Sequence, residues 1–277
     1  MLNLVLAIAG SAMVSIVMRL SSNRVKANVG MLAANYLTCL ILAGSFCGGR
    51  FFPDSAALPR TLALGSIHGF LYLLSFVMFQ YSVKKNGVVL PAIFMKLGLL
   101  VPMVVSVLLF GEMPSAVQAV GFLIAVAGII LVNFEKRDAG ARPTAGLLLL
   151  LLSGGAADAM SKVFEQMGDS SLAPQFLLYT FMAALVLCLG LMIFKKQRPG
   201  RPELLYGFLI GIPNFFSARF LLAALNTVPA VIAYPTYSVA TILAVTMAGI
   251  GLFRERLNRR QWLAIGVILV ALVLLNI

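Results

Sequence analysis

Ten stretches of this chain are each about twenty residues long, almost wholly apolar, and separated by short loops that hold nearly all the charge. A hydrocarbon core of roughly 30 Å takes about 20 apolar residues per helix, and backbone polar groups inside it must bond within their own segment. Residues 2–20, 29–48, 61–83, 88–110, 114–133, 144–165, 172–194, 203–226, 229–252 and 258–276 are therefore expected to be transmembrane helices. The fold class that follows is an all-α polytopic membrane protein. With 61% apolar residues, 11% charged residues and a mean hydropathy of +1.01, the short connections leave no material for a soluble domain. The first stretch has no basic residue before it and nine more follow, so it reads as a retained helix and not a secretory signal.

A net charge of +12 in a soluble protein would point to nucleic acid, so the placement of the basic residues decides its meaning. Odd-numbered connections hold Arg19, Arg24 and Lys26; Lys84 and Lys85; Lys136, Arg137 and Arg142; Lys195, Lys196, Arg198 and Arg201; and Arg254, Arg256, Arg259 and Arg260. Even-numbered ones hold only Arg50 and Arg60. Lys and Arg accumulate in cytoplasmic loops, so the odd loops are expected in the cytoplasm and both termini on the opposite side. The basic charge then reads as topology and contact with membrane lipids, with no nucleic-acid partner. Short loops and the lack of a targeting peptide suit a multi-pass protein of a bacterial inner membrane.

Other chemistries find no residues to support them. Cys39, Cys47 and Cys188 lie in or beside apolar stretches without close spacing and read as small core residues. One histidine and no CxxC or HxxxH pattern argue against a metal site, and no cofactor is expected. There is no Walker loop, no acid-rich prenyltransferase motif and no glycine-flanked serine to partner His68, so an intramembrane enzyme is a remote alternative.

The chain repeats itself. Phe110-Gly111-Glu112-Met113 leads into an apolar stretch ending at Asn133, and Phe253-Arg254-Glu255-Arg256 leads into one ending at Asn276, with equal Glu-to-Asn spacing. Pro91 upstream of the first has a counterpart in Pro235 upstream of the second. Two five-span repeats result, 1–137 and 143–277, joined by a short cytoplasmic linker at 138–142. An odd number of spans makes the second repeat enter the membrane from the opposite side.

These two short turns, each followed by a fifth span punctuated by small residues (Gly121, Ala125 and Gly128; Gly266 and Ala271), resemble the drug/metabolite transporter superfamily, in particular its ten-helix EamA-type members. The resemblance covers the full length. It implies a transporter of small metabolites whose central cavity is formed by the first four helices of each repeat, with the fifth helices supportive. It also implies cytoplasmic termini, the reverse of the charge pattern.

Ionisable groups at membrane depth cost roughly 2.5–3.5 kcal/mol each on insertion scales, so the few present mark candidate sites. In the sixth span Asp158, Ser161, Lys162 and Glu165 share a helical face, with Asp158 and Lys162 spaced for an ion pair. This face either lines a cavity or packs helices. Lys96 in the fourth span and Arg219 in the eighth have no acid within helical reach. They either bind an anionic group of a substrate or pair with Asp158 or Glu165 across helices. His68 and Tyr72, on a stripe continued by Ser75 and Phe79, present either a ligand surface or a packed face; Asn35 and Tyr36 leave the same choice open. Tyr234 and Tyr237 flank Pro235, which frees a backbone carbonyl at depth. Asp158, Glu165 and His68 are the candidates for proton coupling.

The favoured function is a secondary-active transporter moving an amino acid or another zwitterionic or anionic organic solute by alternating access, since Lys96, Lys162 and Arg219 outnumber the acids at depth. The alternative is a proton-coupled exporter of lipophilic cations, with Asp158 as the exchanging carboxylate. A small-molecule substrate is the expected partner, and a monomer is compatible with this reading.

Overall fold

A computed structural model describes residues 1–21, 24–86, 89–133, 145–253 and 259–277. Regular structure among them is helical: α1 (Leu2–Ser21), α2 (Asn28–Phe46), α3 (Leu58–Asn86), α4 (Val89–Leu97), α5 (Leu100–Phe110), α6 (Ala116–Asn133), α7 (Ala145–Met167), α8 (Ala173–Phe194) after a 3₁₀ turn at Ser170–Leu172, α9 (Arg201–Leu225), α10 (Ala230–Phe253) and α11 (Arg259–Leu275). Seven helical segments are long and apolar enough to cross a membrane, and three shorter ones, Phe94–Phe110, Ala116–Leu131 and Ile265–Leu275, fall in the fourth, fifth and tenth expected spans. The chain is an all-α polytopic membrane protein.

One span departs from expectation. Residues 88–110 are expected to form one helix, yet the chain is divided at Gly98 and Leu99, between α4 and α5. Pro102 has no N–H to return to the Gly98 carbonyl, and Val101 N–H takes that oxygen at 2.9 Å in a tighter turn. Pro102 itself then lies in the first turn of α5 and Pro91 in the first turn of α4, where a missing donor costs little.

The chain divides into two compact units, one of Met1–Leu73 with Val163–Asn226 and one of Leu74–Lys162 with Thr227–Ile277. Each takes helices from both sequence repeats, and the division falls within α3 and α7. In the first unit α9 packs on α1 and α2, and α8 on α2. Glycines permit the approach: a Cβ on Gly207 would lie 2.5 Å from the Met31 carbonyl oxygen, and one on Gly211 2.5 Å from Thr38 Cβ. Ser217 Oγ donates to the Ala7 carbonyl at 2.8 Å, fixing α9 on α1 where Gly10 meets the Pro213 carbonyl.

The second unit is built on α6 against α11, with α5 and α10 beside them. Leu99, Phe122, Ala125, Ile129, Val239, Ile242, Ile268, Ala271 and Leu275 form its apolar core. Gly121 and Gly128 meet Leu274 and Ile268 of α11, so small residues in the fifth span serve close packing. Gly266 faces open space. Cys39, Cys47 and Cys188 are free and buried, as the sequence suggested.

Candidate functional site: charged residues at a broken helix

The second unit gathers four of the candidate side chains around the α4–α5 break. The break lies near the middle of its span, with nine helical residues on one side and eleven on the other. Lys96 sits in the last turn of α4, where the negative end of the helix dipole favours a cation, and it is half-buried. Gly155 of α7 lies against the break: a Cβ there would come 2.5 Å from Val101 Cγ2 and collide with the Gly98 carbonyl. This contact brings Asp158, one helical turn further along α7, into electrostatic interaction with Lys96. Tyr234 of α10, 1% exposed, donates its hydroxyl to the Asp158 carbonyl at 2.7 Å. The break is thus flanked by a cation, an acid and a tyrosine.

Lys162 is 1% exposed, and its Nζ pairs with Glu112 Oε1 at 2.6 Å. Glu112 Oε2 also accepts the Ala230 N–H, at the start of α10, at 2.7 Å. The Phe110 ring lies 5.9 Å from the Lys162 nitrogen. Lys162 thus has a counter-charge on the Gly111-Glu112 turn, and Asp158 interacts electrostatically with Lys96 of α4. Glu112 had been read only as a mark of the repeat. The signal for its role was a buried lysine in need of an acid. Its repeat counterpart Glu255 lies outside the described residues.

Other candidates belong to the first unit. Arg219, half-buried, places its guanidinium 3.8 Å over the Phe46 ring, which itself stacks on Phe215 at 5.5 Å. A cation–π contact desolvates the group at lower cost than bare burial and fixes it at the end of α2. His68, 1% exposed, lies between Tyr72 at 4.6 Å and Phe176 at 5.3 Å, with Thr180 Oγ1 3.4 Å from Nδ1. This surrounding corresponds to the packed alternative for the stripe. Asn35, 3% exposed, accepts from Asn214 Nδ2 at 3.2 Å and from the Cys39 thiol at 3.8 Å, joining α2 to α9. Tyr237, which belongs to the second unit, is half-buried on α10. Glu165, two residues from the end of α7, accepts from its neighbour Gln166 at 3.0 Å.

Comparison with known proteins agrees with this architecture. The EamA-like transporter family matches residues 144–277. An uncharacterized protein of Haemophilus influenzae is 24% identical over 278 residues, covering 95% of this chain and 93% of that protein. A probable 4-amino-4-deoxy-L-arabinose-phosphoundecaprenol flippase subunit ArnE of Klebsiella pneumoniae is 43% identical over 55 residues, 20% of this chain and 48% of that protein. One crystal structure matches at a TM-score of 0.75 with 14% identity, over 99% of this chain and 94% of the other, which shows a shared fold. The second half of the chain, residues 144–277, is thus similar to the EamA-like transporter family.

Proposed function

We propose that the protein is a secondary-active transporter of small zwitterionic solutes, amino acids foremost, working by alternating access in a cell membrane. The observation that carries this reading is the α4–α5 break itself, where Gly155 of α7 lies against Gly98 and Val101 and Asp158, one turn further along α7, interacts electrostatically with Lys96 at the end of α4. Lys162 pairs with Glu112, and the candidate groups beside the break then comprise, among the described residues, the cation Lys96 and the anion Asp158. A solute with a carboxylate and an ammonium can exchange with both partners and leave neither charge uncompensated, whereas a simple anion strands Asp158 and a simple cation strands Lys96. The name of the Klebsiella relative concerns a lipid-linked amino sugar, whose amine and phosphate likewise carry both signs.

The test is thermal stabilisation of the purified protein by a panel of amino acids, organic acids, sugars and lipophilic cations. A ligand at 100 times its dissociation constant adds about 2.7 kcal/mol. Stabilisation by zwitterions, weakened at least about tenfold in Lys96→Gln and in Asp158→Asn, is the expected result. Stabilisation by lipophilic cations alone, lost only in Asp158→Asn, replaces this reading with a cation exporter.

A further inference from the structure

At one end of the first unit, the α1–α2 and α8–α9 loops are bound into a single basic surface. Glu203, 5% exposed in the first turn of α9, uses its carboxylate on backbone donors: Oε1 accepts Lys26 N–H at 2.9 Å and Ala27 N–H at 3.2 Å, and Oε2 accepts Gly200 N–H at 2.9 Å. Pro199 lies against the start of α2, where a Cβ on Gly30 would come within 2.8 Å of it. Two loops far apart in sequence, neither of which contains an acid, are therefore held together by Glu203 at the start of α9, and its carboxylate is turned inward. What faces outward is Arg24, Lys26, Lys195, Lys196, Arg198 and Arg201, all exposed. Directly beside them Ile193 is 74% and Phe194 85% exposed at the end of α8.

We infer that this surface is a docking site for the phosphate headgroup of anionic phospholipids, independent of the solute site. The position argues for a lipid over a soluble partner. The patch caps the ends of four membrane-length helices, and its neighbouring exposed Phe194 and Ile193 are suited to acyl chains just below a headgroup. Buried Glu203 removes the one carboxylate that would repel a phosphate and fixes the spacing between the two sets of cations. Guanidinium forks from Arg24, Arg198 and Arg201 and ammonium groups from the lysines supply the donors that a phosphodiester accepts.

Purified, delipidated full-length protein is titrated with palmitoyl-oleoyl-phosphatidylglycerol and, separately, with palmitoyl-oleoyl-phosphatidylcholine in neutral detergent, and retention is read by native mass spectrometry. Phosphatidylglycerol is expected to bind at least about tenfold more tightly, with the preference lost in Lys195→Gln/Lys196→Gln and retained in the charge-matched Arg254→Gln/Arg256→Gln. Equal retention of both lipids overturns the proposal. So does an equal loss in the two double variants, which would make the effect one of charge count alone. Millimolar inorganic phosphate is expected to leave bound phosphatidylglycerol in place. Displacement by it would identify a soluble-phosphate site and overturn the lipid assignment.

Discussion

The most consequential side chain for stability is Glu112, because it answers two demands at once. Lys162 is almost wholly enclosed, and a buried ammonium without a counter-charge is far more costly than one with it. The start of α10 also presents backbone N–H groups that no helical turn precedes, and Glu112 accepts one of them. Glu112→Gln keeps an acceptor for Ala230 but removes the counter-charge, so it is expected to lower stability by about 3 kcal/mol, the low end of the range for a broken buried pair because Glu112 is 18% exposed. Adding Lys162→Met should recover much of that loss. Denaturant or thermal unfolding of the two single variants and the double variant measures the coupling directly, and additive losses would show that the pair contributes nothing. Arg219 illustrates a different solution: its guanidinium is held over the face of Phe46.

Among the elements, the α4–α5 break carries the proposed function. Three residues make it: Pro102 withholds a donor, Gly98 receives the tighter bond from Val101, and Gly155 lets α7 lie against the exposed turn. Pro102→Ala restores the N–H that the Gly98 carbonyl lacks in a continuous helix, and is expected to raise the melting temperature while slowing transport severalfold, with solute affinity less affected. Gly155→Val places branched carbons where Val101 already sits and is expected to cost about 1–3 kcal/mol by overpacking, together with loss of solute binding. Melting curves and proteoliposome uptake separate the two. Uptake in Pro102→Ala equal to wild type would show that the break is only a packing feature. Elsewhere, helix ends agree with the expected spans to within a few residues, since desolvated length and hydropathy set where a helix must stop.

Across the whole molecule, each of the two compact units combines segments from the first and second halves of the sequence, so packing does not follow the division at 138–142 expected from the repeated turns. The orientation follows from charge: with Lys and Arg concentrated in odd loops, both termini are expected outside the cytoplasm. Impermeant thiol labelling of single cysteines placed at position 3 and in the loop at 138–142, in a variant lacking Cys39, Cys47 and Cys188, tests this. Label at position 3 alone from outside intact cells is expected, and label at 138–142 alone reverses the topology. Hydropathy was enough to read the all-α membrane fold and the approximate helix bounds from the sequence, because both depend on local composition against a solvent of fixed thickness. The partners of the buried charges were decided only in three dimensions. Lys96 with Asp158, Lys162 with Glu112, Arg219 with Phe46 and Glu203 with the loop before α2 all join segments far apart in the chain, and the broken fourth span rests on a glycine of α7. Electrostatic and packing partners across helices depend on which faces meet, and no periodicity within a single helix specifies that.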